Sequence, residues 1–259
     1  MPLTSMGFAG KISENRYPEP LKERLQSMNS DSRSLSPLAM IVFPGSNCDE
    51  DCSSVISDVF GMTVQKVWHT ETSLPDVGGL ILPGGFSYGD YLRGGHLASI
   101  SPVMKEVVRF AERGGAVLGI CNGFQILTEV GLLPGTLLPN SHGQFICKSV
   151  PLQVCQSEQG AWGRGLARAQ KTDITLPVAH GEGRYYCSDE TLHSLQDNDQ
   201  IVLRYKTDIN GSVDRIAGVT SKSGNIFGLM PHPERAVYPT PGSDQDGKLI
   251  LTTFLSTFL

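Results

Sequence analysis

The sequence predicts an α/β fold: a doubly wound, mostly parallel sheet that carries an antiparallel extension. Residues 38–120 alternate short apolar runs with segments whose apolar side chains recur at helical spacing, the pattern of a parallel sheet with connecting helices. The run Ala116 to Ile120 is uninterrupted, as expected of a strand covered on both faces. Glycine-rich turns follow two such runs, at Gly84-Gly85 and around Cys121, and the carboxyl ends of strands are where sheets of this class hold their sites.

The elements follow in order. Residues 38–43 read as a strand closed by Pro44-Gly45. Ser46 or Asn47 can cap a helix whose first turn carries Asp49, Glu50 and Asp51, and Cys52, Val55, Ile56, Val59 and Phe60 form its apolar stripe. Strands are expected over 64–68 and 77–82, and a helix over 102–113 with Pro102 in its first turn. After strand 116–120, Phe124, Ile126, Leu127 and Val130 make a helix that Gly131 stops. Beyond it the texture shifts to shorter runs over 148–154, 174–178, 201–205, 216–220 and 226–230, read as the antiparallel extension and not as a separate domain. A last helix over 246–258 turns Leu251, Phe254, Leu255 and Phe258 to one side.

Composition narrows the function classes. A net charge of -5 without any Lys/Arg run argues against nucleic acid as a partner. No apolar stretch is long enough to span a bilayer, so no membrane partner is expected. Six scattered cysteines and the lack of a charged-then-apolar leader point to a reduced, cytoplasmic protein. Cys48 and Cys52 stand four apart, but no His or second Cys pair completes a zinc pattern, so no metal is expected. Residues 1–36, punctuated by Pro2, Pro18 and Pro20, read as a flexible extension ahead of one domain over 37–259.

Two stretches carry chemistry. Cys121 stands between a strand and a helix, with Gly119 before it and Asn122-Gly123 after it. Small neighbours suit the tight elbow that exposes a nucleophile, and the helix amino terminus favours a thiolate. A small buried hydrophobe is the plainer reading of such a cysteine. Met230-Pro231-His232-Pro233-Glu234-Arg235 confines a histidine and a carboxylate between prolines. There the carboxylate can fix the imidazole that accepts a thiol proton, although a capped loop with a surface ion pair has the same spacing.

Gly119-Ile120-Cys121-Asn122-Gly123-Phe124-Gln125 together with Pro231-His232-Pro233-Glu234 resembles the class I (triad) glutamine amidotransferases. Phe43-Pro44-Gly45-Ser46-Asn47-Cys48-Asp49, Pro83-Gly84-Gly85-Phe86-Ser87-Tyr88-Gly89-Asp90, Phe145-Ile146-Cys147, His180-Gly181-Glu182-Gly183-Arg184 and Asn210-Gly211-Ser212-Val213-Asp214 are similar to the glutaminase subunits of phosphoribosylformylglycinamidine synthases of purine biosynthesis. The resemblance implies a class I glutamine amidotransferase-like, flavodoxin-like architecture. It also implies hydrolysis of L-glutamine through a glutamyl thioester, with Cys121 as nucleophile, His232 as base and Glu234 as its orienter.

Gly85 and Asn122 are the implied oxyanion donors, and Gln125 the implied glutamine contact, against the plainer reading of a helix-surface glutamine. His180, Glu182 and Arg184 are placed at an interface with the synthetase, against a plain turn with exposed charges. His142 reads as a loop residue. No cofactor is expected in this chain: it has no GxxxxGK loop, so ATP and Mg belong to a synthetase partner, with a small bridging subunit often present. A non-catalytic scaffold, a glutaminase serving another synthetase and a small cysteine peptidase are the competing readings.

Overall fold

The computed structural model describes residues 38–155, 160–239 and 245–259. The extension expected over residues 1–36 lies outside them. Nine strands form one sheet in the order β2-β1-β3-β4-β11-β10-β9-β6-β7. Its first five members are β2 (Val64–Trp68), β1 (Leu38–Val42), β3 (Gly79–Leu82), β4 (Ala116–Ile120) and β11 (Ile226–Leu229). Every neighbouring pair among these five is parallel. The remaining strands, β10 (Ile216–Thr220), β9 (Ile201–Tyr205), β6 (Ile146–Val154) and β7 (Asp173–His180), pair antiparallel.

The mostly parallel α/β sheet expected from the sequence is present, with one change of membership. The sequence places the 226–230 run in the antiparallel extension, yet β11 pairs parallel with β4 and antiparallel with β10. All four of its residues are buried, as are all those of β1, β3 and β4. The hairpin therefore bridges the two halves of the sheet. Burial alternates instead along β6 and β7, the signature of strands with one wetter face.

The helices are α1 (Asp49–Phe60), α2 (His96–Ser99), α3 (Met104–Glu112), α4 (Asn122–Glu129), α5 (Gly160–Arg168), α6 (Asp189–Asp197) and α7 (Asp246–Leu255). Helix α1 starts after Cys48, which makes no side-chain cap. The cap expected from Ser46 or Asn47 is not formed, because Ser46 Oγ takes the Phe43 amide at 3.1 Å and closes the preceding turn instead. Helices α2, α5 and α6 and the small pair β5 (Thr136–Leu138) and β8 (Arg184–Tyr186) escaped the sequence reading. They are too short, or too polar, to show a clear period. Trp162, fully buried, packs on Phe227 and stacks on Phe254, joining α5 and α7 to the centre of the sheet. No helix of the described residues is long and apolar enough to cross a membrane.

Candidate functional site

Four adjacent parallel strands, β1, β3, β4 and β11, deliver their carboxyl ends side by side, and each end contributes to one cluster. From β4 the chain turns directly into α4 at Cys121, which holds φ 50 and ψ -104. That backbone costs a non-glycine residue of order 1–3 kcal/mol and survives only where its surroundings impose it. The Cys121 amide donates to the Leu229 carbonyl at 2.8 Å, tying the elbow to β11. A Cβ on Gly123 would stand 1.9 Å from the Leu82 carbonyl oxygen, and one on Gly119 would stand 2.8 Å from the Gly123 oxygen. The small residues flanking Cys121 are thus required by backbone packing on both sides.

From β11 the chain passes Met230-Pro231 to His232, whose side chain is 2% exposed beside a fully buried Glu234 carboxylate. His232 Nδ1 and Glu234 Oε1 are 2.6 Å apart. Burial disfavours an imidazolium here, but the Glu234 carboxylate and then the Cys121 and Cys48 thiols outweigh it and raise His232 well above its ordinary value. His232 Nε2 has no hydrogen-bond partner among the described residues. The surface ion pair offered as the plainer reading of this stretch is excluded by its burial. Cys121 is itself 5% exposed, and its Sγ faces the Ala179 carbonyl of β7 at 3.8 Å.

From β3 and β1 come two interlocked turns. Gly85 has φ +144, and the position of a Cβ is filled by the Gly45 carbonyl oxygen at 2.6 Å and the Asn47 amide at 2.8 Å. Phe86 donates its amide to Gly45 and Tyr88 to Pro44. Residues Tyr88, Gly89 and Asp90 all hold positive φ. The Tyr88 hydroxyl braces this loop against His69 Nδ1 at 2.7 Å and Ser101 Oγ at 2.9 Å.

The first residue of α4 joins the loop to the elbow. Asn122 Oδ1 accepts the Ser87 amide at 3.2 Å, and its Nδ2 donates to Asp90 Oδ1 at 3.3 Å and Gln125 Oε1 at 2.8 Å. Asn122 was singled out for its backbone amide; its side chain is the stronger structural feature. Gln125 is 5% exposed, and its Nε2 donates to the Glu182 carbonyl at 2.6 Å. The helix-surface reading of Gln125 therefore does not hold. Asp90 is pushed up to about 6 by burial and by the neighbouring Glu182 carboxylate.

The His180–Arg184 stretch departs from the exposed turn offered as its plain reading. His180 ends β7 and, at 3% exposed, is too buried for the interface expected of it, while Arg184 opens β8 and Glu182 Oε2 accepts the Gly94 amide at 3.0 Å. The segment turns inward because Asn140 and Asn210 satisfy its backbone: Asn140 Nδ2 donates to the His180 carbonyl at 2.9 Å and Asn210 Nδ2 to that of Gly183 at 2.8 Å. His142 lies in an exposed turn, as expected.

Cys48 is the site residue that sequence reasoning missed. Its Sγ, an imidazole nitrogen of His232 and a carboxylate oxygen of Glu234 all lie within 4.8 Å of one another, while Cys52 stands outside that group. The Arg235 guanidinium, 3.2 Å from Cys48 Sγ, already brings a positive charge to it. The 43–49 loop carries Cys48 to a histidine far along the chain, a contact that no local spacing signals.

A cysteine-bearing elbow, a buried His-Glu pair and a glycine turn locked beside them have the parts of a thioester-forming amide hydrolase. The model of a CobB/CobQ-like glutamine amidotransferase domain matches residues 36–248. The chain belongs to that glutamine amidotransferase family. It is 52% identical over 218 residues to the phosphoribosylformylglycinamidine synthase subunit PurQ of Synechococcus sp. (strain CC9605), covering 84% of this chain and 99% of the relative. The PurQ subunit of Salinibacter ruber is 50% identical over 226 residues, covering 84% and 94%. Among solved structures, PurLQS from Thermotoga maritima matches with a TM-score of 0.71 and 43% identity over 83% of this chain and 96% of that one. A putative GMP synthase subunit from Thermoplasma acidophilum, 17% identical with a TM-score of 0.53, shares the fold of the family.

Proposed function

We propose that this chain is the glutaminase subunit of a phosphoribosylformylglycinamidine synthase, working in the cytoplasm. The observation that carries the reading is the strained Cys121 elbow set against the buried His232–Glu234 pair, in a chain about half identical to PurQ subunits along most of its length. In this scheme His232 takes the thiol proton and Cys121 Sγ attacks the side-chain amide carbon of L-glutamine. The carbon–nitrogen bond breaks as the imidazolium returns the proton to the leaving nitrogen, releasing ammonia and leaving a glutamyl thioester. Water, deprotonated by His232, then cleaves the thioester to glutamate and restores the thiol.

The backbone amides of Gly85 and Asn122 serve as oxyanion donors, supported by the glycine-only turn at 85 and by the place of Asn122 at a helix amino terminus. Gln125, held by Asn122 and Glu182, shapes the glutamine site. Glu182 and Arg184 lie on the side that meets the synthetase. ATP and Mg act on that partner, which consumes the ammonia in converting formylglycinamide ribonucleotide to formylglycinamidine ribonucleotide, with a small bridging subunit completing the assembly.

The test is copurification with the synthetase followed by glutamine-dependent and ammonia-dependent synthesis. Cys121→Ala is expected to abolish the first and keep the second, and a glutamine-analogue alkylator to label Cys121 alone. No labelling of the assembled wild type, with synthesis supported only by ammonia, would establish a non-catalytic scaffold instead.

A further inference from the structure

His180 is a buried imidazole that the scheme above does not use. Its Nδ1 lies 3.1 Å from Asn140 Oδ1. The Asn140 amide is fixed in orientation, because its Nδ2 donates to the carbonyls of Gln144 at 2.8 Å and of His180 at 2.9 Å. Oδ1 is therefore the atom that faces the ring, and it also accepts the Gly183 amide at 3.2 Å. It follows that Nδ1 carries the ring proton and Nε2 presents a bare lone pair. That Nε2 is buried and has no partner among the described residues. Buried acceptors of this kind are uncommon and call for a functional account.

The place of the ring supplies one. His180 directly follows Ala179, whose carbonyl lies 3.8 Å from Cys121 Sγ, so the ring belongs to the strand end that borders the thiol. The ring packs directly over Gly183, where an added Cβ would stand 2.2 Å from Nδ1. We propose that the His180 Nε2 lone pair accepts an N–H hydrogen bond from the ammonia released at Cys121 and retains it, unprotonated, for the synthetase.

The inference rests on the glutaminase reading and names a binding residue for its product. Ammonia is a nucleophile only while its own lone pair is free. A neighbour that accepts from N–H without donating leaves that pair free. Burial, seconded by the charge of His232, lowers His180 to about 4, so near neutrality Nε2 has no proton to give.

The experiment uses the full complex and measures glutamate and formylglycinamidine ribonucleotide together. His180→Asn keeps a donor at the Nδ1 position and removes the group at Nε2, whereas His180→Gln places an amide oxygen near Nε2. The Asn variant is expected to raise the ratio of glutamate to product by about three- to tenfold, the weight of one neutral hydrogen bond. The Gln variant is expected to stay near the wild-type ratio, and synthesis from added ammonia to be unchanged in both. An Asn variant as tightly coupled as wild type, or two variants that lose both outputs in parallel, overturns the inference. Absence of glutamate from the assembled wild type would instead remove the glutaminase reading itself.

Discussion

Cys121 and His232 are held by different forces, and the difference predicts how each fails. The Cys121 backbone is imposed by packing, through the missing side chains of Gly119 and Gly123. The His232 charge state is imposed by electrostatics, because the Glu234 carboxylate at 2.6 Å reverses what burial alone would do. Glu234→Gln removes the largest of the influences that oppose burial, so the imidazole holds the thiol proton less strongly. Glutamine turnover by the complex should fall about 100-fold or more while ammonia-driven synthesis persists. Stability gives an independent readout. A histidine raised in the folded state stabilises fully below its unfolded value near 6.5 and loses that contribution as pH rises through the folded value. Wild-type protein should therefore weaken as pH climbs above neutrality, and urea unfolding across that range should show a flatter slope for Glu234→Gln.

At the scale of elements, the site depends on loops that brace one another. Legibility followed how local each brace is. The elbow at Cys121 and the proline-bounded His232–Glu234 turn declare themselves in a few adjacent residues, and the sequence reading placed both. The approach of Cys48 to His232 and the hydrogen bond between Asn140 and His180, residues 40 positions apart, join distant parts of the chain, and no local pattern signals them. The loop 83–90 lies between these cases. Its glycines announce an irregular turn, but the support from Tyr88 on His69 and Ser101 appears only in three dimensions. Three successive residues at positive φ make this loop dependent on that support. Tyr88→Phe removes both hydroxyl bonds while keeping the ring against His69. The expected result is a kcat for glutamine lowered about tenfold with KM changed less than twofold, because displacing the Gly85 amide proposed as an oxyanion donor would weaken transition-state binding more than substrate binding. Equal changes in kcat and KM would assign the hydroxyl to folding of the substrate pocket.

The whole molecule separates support from chemistry. Helices α5 and α7 pack on the sheet through Trp162, Phe227 and Phe254, while the carboxyl ends of β1, β3, β4 and β11 carry the reactive cluster. Around that cluster the loops expose apolar side chains: Phe86 at 43%, Phe145 at 54%, Tyr91 at 74% and Leu92 at 81%. The Phe86 and Phe145 rings lie 6.5 Å apart, and Gly94, two residues past Leu92, is hydrogen-bonded to Glu182. Exposed rings gathered beside a site that must hand on its product suit the centre of a protein interface, where aromatic anchors dominate binding. Leu92 makes the sharpest probe, since it is the most exposed of the four and holds φ 72. Leu92→Asp places a charge where the synthetase would exclude water. Affinity for the synthetase, measured by calorimetry, should fall at least tenfold, the cost of an unpaired charge at a desolvated contact. Thermal unfolding of the isolated chain should shift little, because no packed side chain is removed. An unchanged affinity would move the docking surface away from the 86–94 loop and leave the orientation of the active site toward its partner to be carried by Glu182 and Arg184.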